Sequence, residues 1–161
     1  MSASFSLNFD EYEKIQAPDN EFMWQGLIDI KQGRFAGQQT INIFTKDQVV
    51  SDGSKEFIES ILTDIEILLL EGLAYVKARF KEDPAVYKIL DHELAWLDLS
   101  LDEFPLYEPD LTFYCESDEW NVRFAEGKFG NCEPYGVLVS FIGITPTRAD
   151  DPADFEDITE E

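Results

Sequence analysis

The chain holds one histidine, His92, set between Asp91 and Glu93. An imidazole that ligates a metal or shuttles a proton needs partners three or four positions away on the same helix face, because immediate neighbours project about 100° to either side. Asp91 and Glu93 do not meet that spacing, and nothing from Glu93 to Leu97 supplies a ligand on the right face. His92 is expected to be a partly exposed helix residue. The two cysteines, Cys115 and Cys132, form no CxxC pair and lack a neighbouring histidine, so neither a zinc site nor a disulfide framework is expected. Cys115 is in phase with Leu111 and Phe113 and reads as a small core residue; Cys132 reads as a loop thiol open to either burial or exposure, with Glu133 beside it and no flanking cation to favour the thiolate. The glycine-rich run EGKFGNCEPYG, residues 126–136, fails as a phosphate loop, because no Lys-Ser or Lys-Thr follows its last glycine and the next element is a strand. Carboxylate pairs suited to acid–base chemistry are so numerous that no spacing singles one out. These residues predict no catalytic group, no metal and no cofactor.

What the spacing does single out is a run of charge. Residues 101–120, LDEFPLYEPDLTFYCESDEW, carry seven carboxylates and five aromatic rings without a lysine or arginine. No base occurs from residue 89 to residue 122. The rings Trp96, Phe104, Tyr107, Phe113, Tyr114 and Trp120 cannot all face a core, since Phe113 and Tyr114 fall on opposite sides of a strand. Some aromatic surface beside carboxylates is therefore expected. Tyr and Trp anchor protein interfaces, and complementary charge speeds encounter. The candidate partner-binding residues are Asp102, Glu103, Glu108, Asp110, Glu116, Asp118 and Glu119 for attraction, with Tyr107 and Tyr114 as anchors.

The whole chain shares this bias. Its 161 residues hold 34 acids against 12 bases, a formal charge of −22. Seven of the acids lie in residues 150–161, which leaves 27 acids against the same 12 bases in the body. Apolar residues at 44% and aromatics at 14% place it among folded chains, and the length suffices for a core without metal or disulfide staples. A charge of this sign makes nucleic acid and anionic membrane poor partners. The N-terminus has no basic segment followed by an apolar run, and the most apolar stretch, ILTDIEILLLEGLAYV, is interrupted by Asp64, Glu66 and Glu71. A cytoplasmic protein with no secretory signal and no membrane span is expected.

The elements that must position these residues follow from periodicity. Strand-like alternation runs through Phe5, Leu7 and Phe9, then Trp24, Ile28 and Ile30, then Ile41 and Ile43. Phe57 to Phe80 repeat apolar residues at helical spacing, which predicts one long central helix, straight or slightly kinked near Gly72, with a stop at Asp83-Pro84. Residues 85–97 predict a second, shorter helix. Strands resume over Leu111–Cys115 and Trp120–Phe124, and GVLVSFIG, 136–143, reads as an interior strand because it is apolar on both faces. The expected fold class is α+β, an antiparallel sheet packed against that helix, with residues 1–149 as a single domain and 150–161 as an acidic C-terminal tail.

The pattern at 119–141, EWNVRFAEGKFGNCEPYGVLVSF, of aromatic strand, glycine-containing loop, Pro-Tyr-Gly and apolar strand, resembles that of small acidic bacterial immunity proteins encoded beside polymorphic or contact-dependent toxins. The resemblance implies a stoichiometric, non-enzymatic inhibitor of a basic, nuclease-like toxin domain, acting by electrostatic steering and occlusion. Two other readings fit the charge: a nucleic-acid mimic directed at a DNA-binding protein, and an acidic housekeeping or salt-adapted domain without a specific basic partner. Nothing in the sequence sets the oligomeric state.

Overall fold

A computed structural model describes Leu7, residues 9–133 and residues 135–151. Seven strands, β1 (Glu13–Gln16), β2 (Phe22–Ile30), β3 (Gly37–Thr45), β4 (Leu106–Tyr114), β5 (Glu119–Gly127), β6 (Val137–Ile142) and β7 (Thr145–Asp150), form one sheet in sequential order. Every neighbouring pair is antiparallel except β3 and β4, which run parallel, with Ile41 beside Leu111 and Ile43 beside Phe113. A parallel pair cannot be joined by a tight turn. The crossover between them carries the helices, and an all-antiparallel sheet is thereby corrected.

The expected single helix is also corrected, to two: α1 (Asp52–Thr63) and α2 (Ile65–Glu82). The break is at Asp64, not at Gly72. Asp64 sits at φ −107°, ψ 18°, and its N–H turns back to the carbonyls of Ile61 and Leu62. One residue earlier the Thr63 hydroxyl donates to the carbonyl of Glu59, a back-bond that bends helices. Ser51 caps α1 by accepting from the N–H of Ser54. The apolar stripe survives the break, because Ile58, Ile61 and Leu62 from α1 and Ile65, Leu69, Leu73, Val76 and Phe80 from α2 are all buried. Gly72 lets α2 lie close on the sheet: a Cβ there would stand 3.1 Å from Phe141 Cζ. The second, shorter helix proves to be a 3-10 helix over Asp91–Asp98, after a turn in which Lys88 takes φ +59°.

Core and open faces alternate along each strand. Ile43, Phe113, Trp120 and Phe141 line up across four strands on the helix side, with the Trp120 ring stacked at 5.2 Å on Phe113 and 4.3 Å on Phe141. At the end of the sheet where β4 begins, Phe80, Tyr87, Phe104 and Phe129 pack as a second aromatic cluster, and Trp96 joins it through Phe129. The edge strand β7 is blocked against further pairing: Tyr75 and Tyr87 donate their hydroxyls to the carbonyls of Thr147 and Ala149, and Pro146 has no N–H.

Two further expectations change. Leu7 is buried, but Phe9–Glu11 forms a 3-10 turn rather than strand, and Phe5 lies outside the described residues. Asp150 and Asp151, the first two residues of the expected tail, are the end of β7 and a buried side chain beside Lys88; residues 152–161 lie outside the described residues.

Candidate functional site

The candidate binding residues do not converge on one patch. Asp102 and Glu103 are exposed in the loop that leads into β4, whereas Glu116, Asp118 and Glu119 are exposed at the hairpin that leaves it. Tyr107 and Tyr114 are the exposed rings of the stretch, seven residues apart on one strand, or ~23 Å at ~3.3 Å per residue. Phe104, Phe113 and Trp120 are fully buried. Glu108 is exposed at φ +55°, ahead of Pro109, and interrupts the regular alternation of β4.

Each end is held by specific contacts. At the β4 entrance the Arg34 guanidinium donates to the carbonyls of Leu101, Phe104 and Leu106 and stands 5.4 Å from the Tyr107 ring centre, so one cation fixes the loop bearing Asp102 and Glu103. At the exit the N–H of Glu116 donates to Ser54 Oγ at 3.0 Å, and the N–H of Gly143 to the carbonyl of Asp118 at 2.8 Å. The hairpin is thereby tied to the start of α1 and to the β6–β7 turn. A shallow open depression lined by Gly53, Ser54, Phe57, Glu116, Ser117 and Asp118 lies between them.

Asp110 behaves differently from the other candidates. It sits mid-strand on the face opposite the helices, where its carboxylate accepts from Asn42 Nδ2 at 2.8 Å and Arg123 Nη2 at 3.0 Å; Asn42 in turn accepts from Gln25 at 2.9 Å. Burial lifts its carboxyl above the ordinary value, against the pull of Arg123 and the hydrogen bonds from Arg123 and Asn42. It organises the face rather than projecting charge.

Eight of the twelve bases are engaged by other groups. Among the described residues Lys31, Arg79, Lys81, Lys88, Arg123 and Arg148 are in ion pairs, and Arg34 and Lys77 are taken up by backbone carbonyls. None of those pairs involves Asp102, Glu103, Glu108, Glu116, Asp118 or Glu119.

The residues considered for chemistry are placed apart. His92 is exposed, with its ring 5.7 Å from that of Trp96. Glu93 is buried and structural: one oxygen accepts from the N–H of Leu90 at 2.8 Å and the other from that of Gly130 at 2.7 Å. Both cysteines are free, and Cys132 is buried rather than exposed, with burial pushing its thiol up to about 12. Cys115 is half-buried at a strand end, its thiol also raised by burial. No group of three or more metal-ligating side chains occurs among the described residues.

The alternation of β2, β3 and β6 also leaves Leu27, Phe44, Leu138 and Ile142 on the helix-free face, where reading the acidic stretch alone missed them. Their signal was present: Phe44 and Leu27 are out of phase with the buried Ile43 and Ile28, and Leu138 and Ile142 are the second apolar face of GVLVSFIG. No helix among the described residues is long and apolar enough to cross a membrane. Comparison with protein-family models, with curated proteins and with solved structures returns no match.

Proposed function

We propose that this chain is an acidic, non-catalytic, cytoplasmic binding protein that inhibits a basic, nuclease-like toxin domain by occluding its substrate surface, in the manner of an immunity protein. The observation that carries the reading is the use of the bases. Eight of the twelve bases, Arg34, Lys77 and six in ion pairs, are engaged by backbone carbonyls or by other carboxylates, and none of those ion pairs takes up the solvent-facing acids at the two ends of β4. Such a surface attracts cations over a Debye length and excludes nucleic acid. The fold supplies rigid mounts for it, because Arg34 fixes one acidic end and the Ser54 and Asp118 contacts fix the other.

The test is enzymatic. The gene next to this chain's own is read for a nuclease-like toxin domain, whose absence counts against the reading, and the domain it encodes is assayed on nucleic acid with increasing amounts of the purified chain, at low and high salt. The reading expects full inhibition at one-to-one stoichiometry, with association slowed at high salt. No inhibition at a several-fold excess would overturn it. The salt-adapted reading makes a different prediction, a sharp loss of thermal stability at low ionic strength.

A further inference from the structure

Resting on that reading, we infer that the helix-free face of the sheet is the contact core for the basic partner and that the acidic ends are its rim. A chain of charge −22 would be expected to show carboxylates on any solvated sheet face. Here the carboxylates are largely paired. Asp29, Asp110 and Asp150 each face a cation, Lys31, Arg123 and Arg148, at 2.6, 3.0 and 2.6 Å, while Glu13 on β1 and Glu119 on β5 are in none of these ion pairs. Between the pairs runs a neutral row, Gln25, Asn42, Thr112, Asn121 and Ser140, and around it stand apolar side chains that the other described residues leave exposed or half-exposed. Leu27 is 58% exposed, Ile142 50% and Tyr114 41%, with the Tyr114 ring stacked at 5.7 Å on Phe44. A centre of neutral side chains around one internally matched pair, Asp110 with Arg123, aromatic and aliphatic anchors and a charged margin match the composition of an interface core and rim.

The dimensions agree. Seven strands ~4.8 Å apart, sharing about six ladder residues at ~3.4 Å, give roughly 600 Å² in plan, close to one partner's share of a standard interface, ~800 Å². The Gln25–Asn42–Asp110–Arg123 network holds the centre in one arrangement before any partner arrives. A second copy of this chain is a poor occupant, because two −22 bodies repel and each would bring the same acidic margin of Glu116, Asp118 and Glu119. Charge complementarity selects instead a protein that presents an apolar patch bordered by lysine and arginine.

The experiment compares the wild type with Leu27→Ser, Tyr114→Ser and Ile142→Ser combined, and with Ile67→Ser, an exposed aliphatic change on α2. Circular dichroism and an unfolding midpoint check that each variant is folded. The probe is the basic toxin domain of the inhibition assay, bound in surface kinetics. The inference expects dissociation to speed up roughly 100-fold for the combined variant and to stay unchanged for Ile67→Ser, with Tyr114 and Phe44 protected from hydroxyl-radical labelling in the wild-type complex. A combined variant that binds like the wild type overturns the inference and leaves the inhibitor reading standing. Absence of wild-type binding overturns both. A wild type that sediments alone as a dimer, and becomes monomeric in the combined variant, would show that the face seats a second copy and overturn the choice of partner.

Discussion

Asp110 and Arg123 face each other across β4 and β5 on the helix-free side of the sheet, Oδ2 to Nη2 at 3.0 Å, and the carboxyl nevertheless ionises less readily than usual. Burial therefore outweighs the ion pair and the two hydrogen bonds. A carboxyl raised in the folded state opposes folding when charged, fully above the folded value, and ceases to do so as pH falls toward the unfolded value of 3.8. Asp110→Asn keeps an acceptor for Asn42 and removes the charge. It should be as stable as the wild type or up to about 1 kcal/mol more stable at pH 7, the gain kept small by the exposure of Arg123. Urea unfolding at pH 7 and pH 4 checks this: the difference should shrink at the lower pH, and a large loss at pH 7 would show that the pair outweighs burial.

The packing of α2 gives a second test. Leu69 is fully buried, and Leu69→Ala should cost ~2–5 kcal/mol. Gly72→Ala gains helix propensity of about 1 kcal/mol, but its Cβ would meet Phe141 at 3.1 Å. Phe141 is fully buried and stacked on Trp120, so it has nowhere to yield, and overpacking of this kind costs ~1–3 kcal/mol. Both variants should lower the denaturation midpoint, Leu69→Ala by more. A stabilised Gly72→Ala would mean that β6 moves freely under the helix.

The thiols give a third. With burial holding Cys132 near 12 and raising Cys115 as well, neither should react quickly with a thiol reagent at pH 8. Cys132 should become available only with global unfolding, because its sulfur fits against Gly127, where an added Cβ would stand 2.4 Å away. Mass spectrometry of alkylated protein, native against urea-unfolded, separates the two sites, and rapid native labelling of Cys132 would show that the 130–132 turn opens locally.

These contacts mark where the sequence was readable. Periodicity located the buried stripe from Phe57 to Phe80, because Ile61, Leu62, Ile65, Leu68 and Leu69 keep helical phase. It could not show the break at Asp64, since the stripe continues through it and the cause is a hydrogen-bond choice by Thr63 and Asp64. The parallel pairing of β3 with β4 was hidden for another reason: it joins Ile41 to Leu111 across a crossover that no local pattern encodes. The acidic stretch misled by contiguity. Residues adjacent in sequence were taken as adjacent in space, yet a nine-residue strand carries Asp102 and Glu103 to one end of the sheet and Glu116, Asp118 and Glu119 to the other. Nothing local marks Glu93, beside His92, as a buried structural acid, because the amides its two oxygens accept from include that of Gly130, 37 residues away.

That separation makes the source of steering testable. Two charge-reversed variants divide the acids by position: Glu116→Lys, Asp118→Lys and Glu119→Lys at the β4 exit, and Asp102→Lys with Glu103→Lys at its entrance. Asp110 is left alone, because Lys there would face Arg123 and break the network with Asn42. The exit acids adjoin Tyr114 and Ile142, Glu119 being the ladder partner of Ile142, whereas the entrance acids share their end with Arg34. The exit reversal should therefore slow association with the toxin domain about ten-fold or more at low salt and flatten its salt dependence, while dissociation changes less. The entrance reversal should have the smaller effect, because long-range attraction survives but the charges lie ~20 Å or more from the exit anchors. Association rates at two ionic strengths decide the matter. Equal slowing by both variants would mean that only net charge steers, and an effect confined to the entrance would move the rim to the loop held by Arg34.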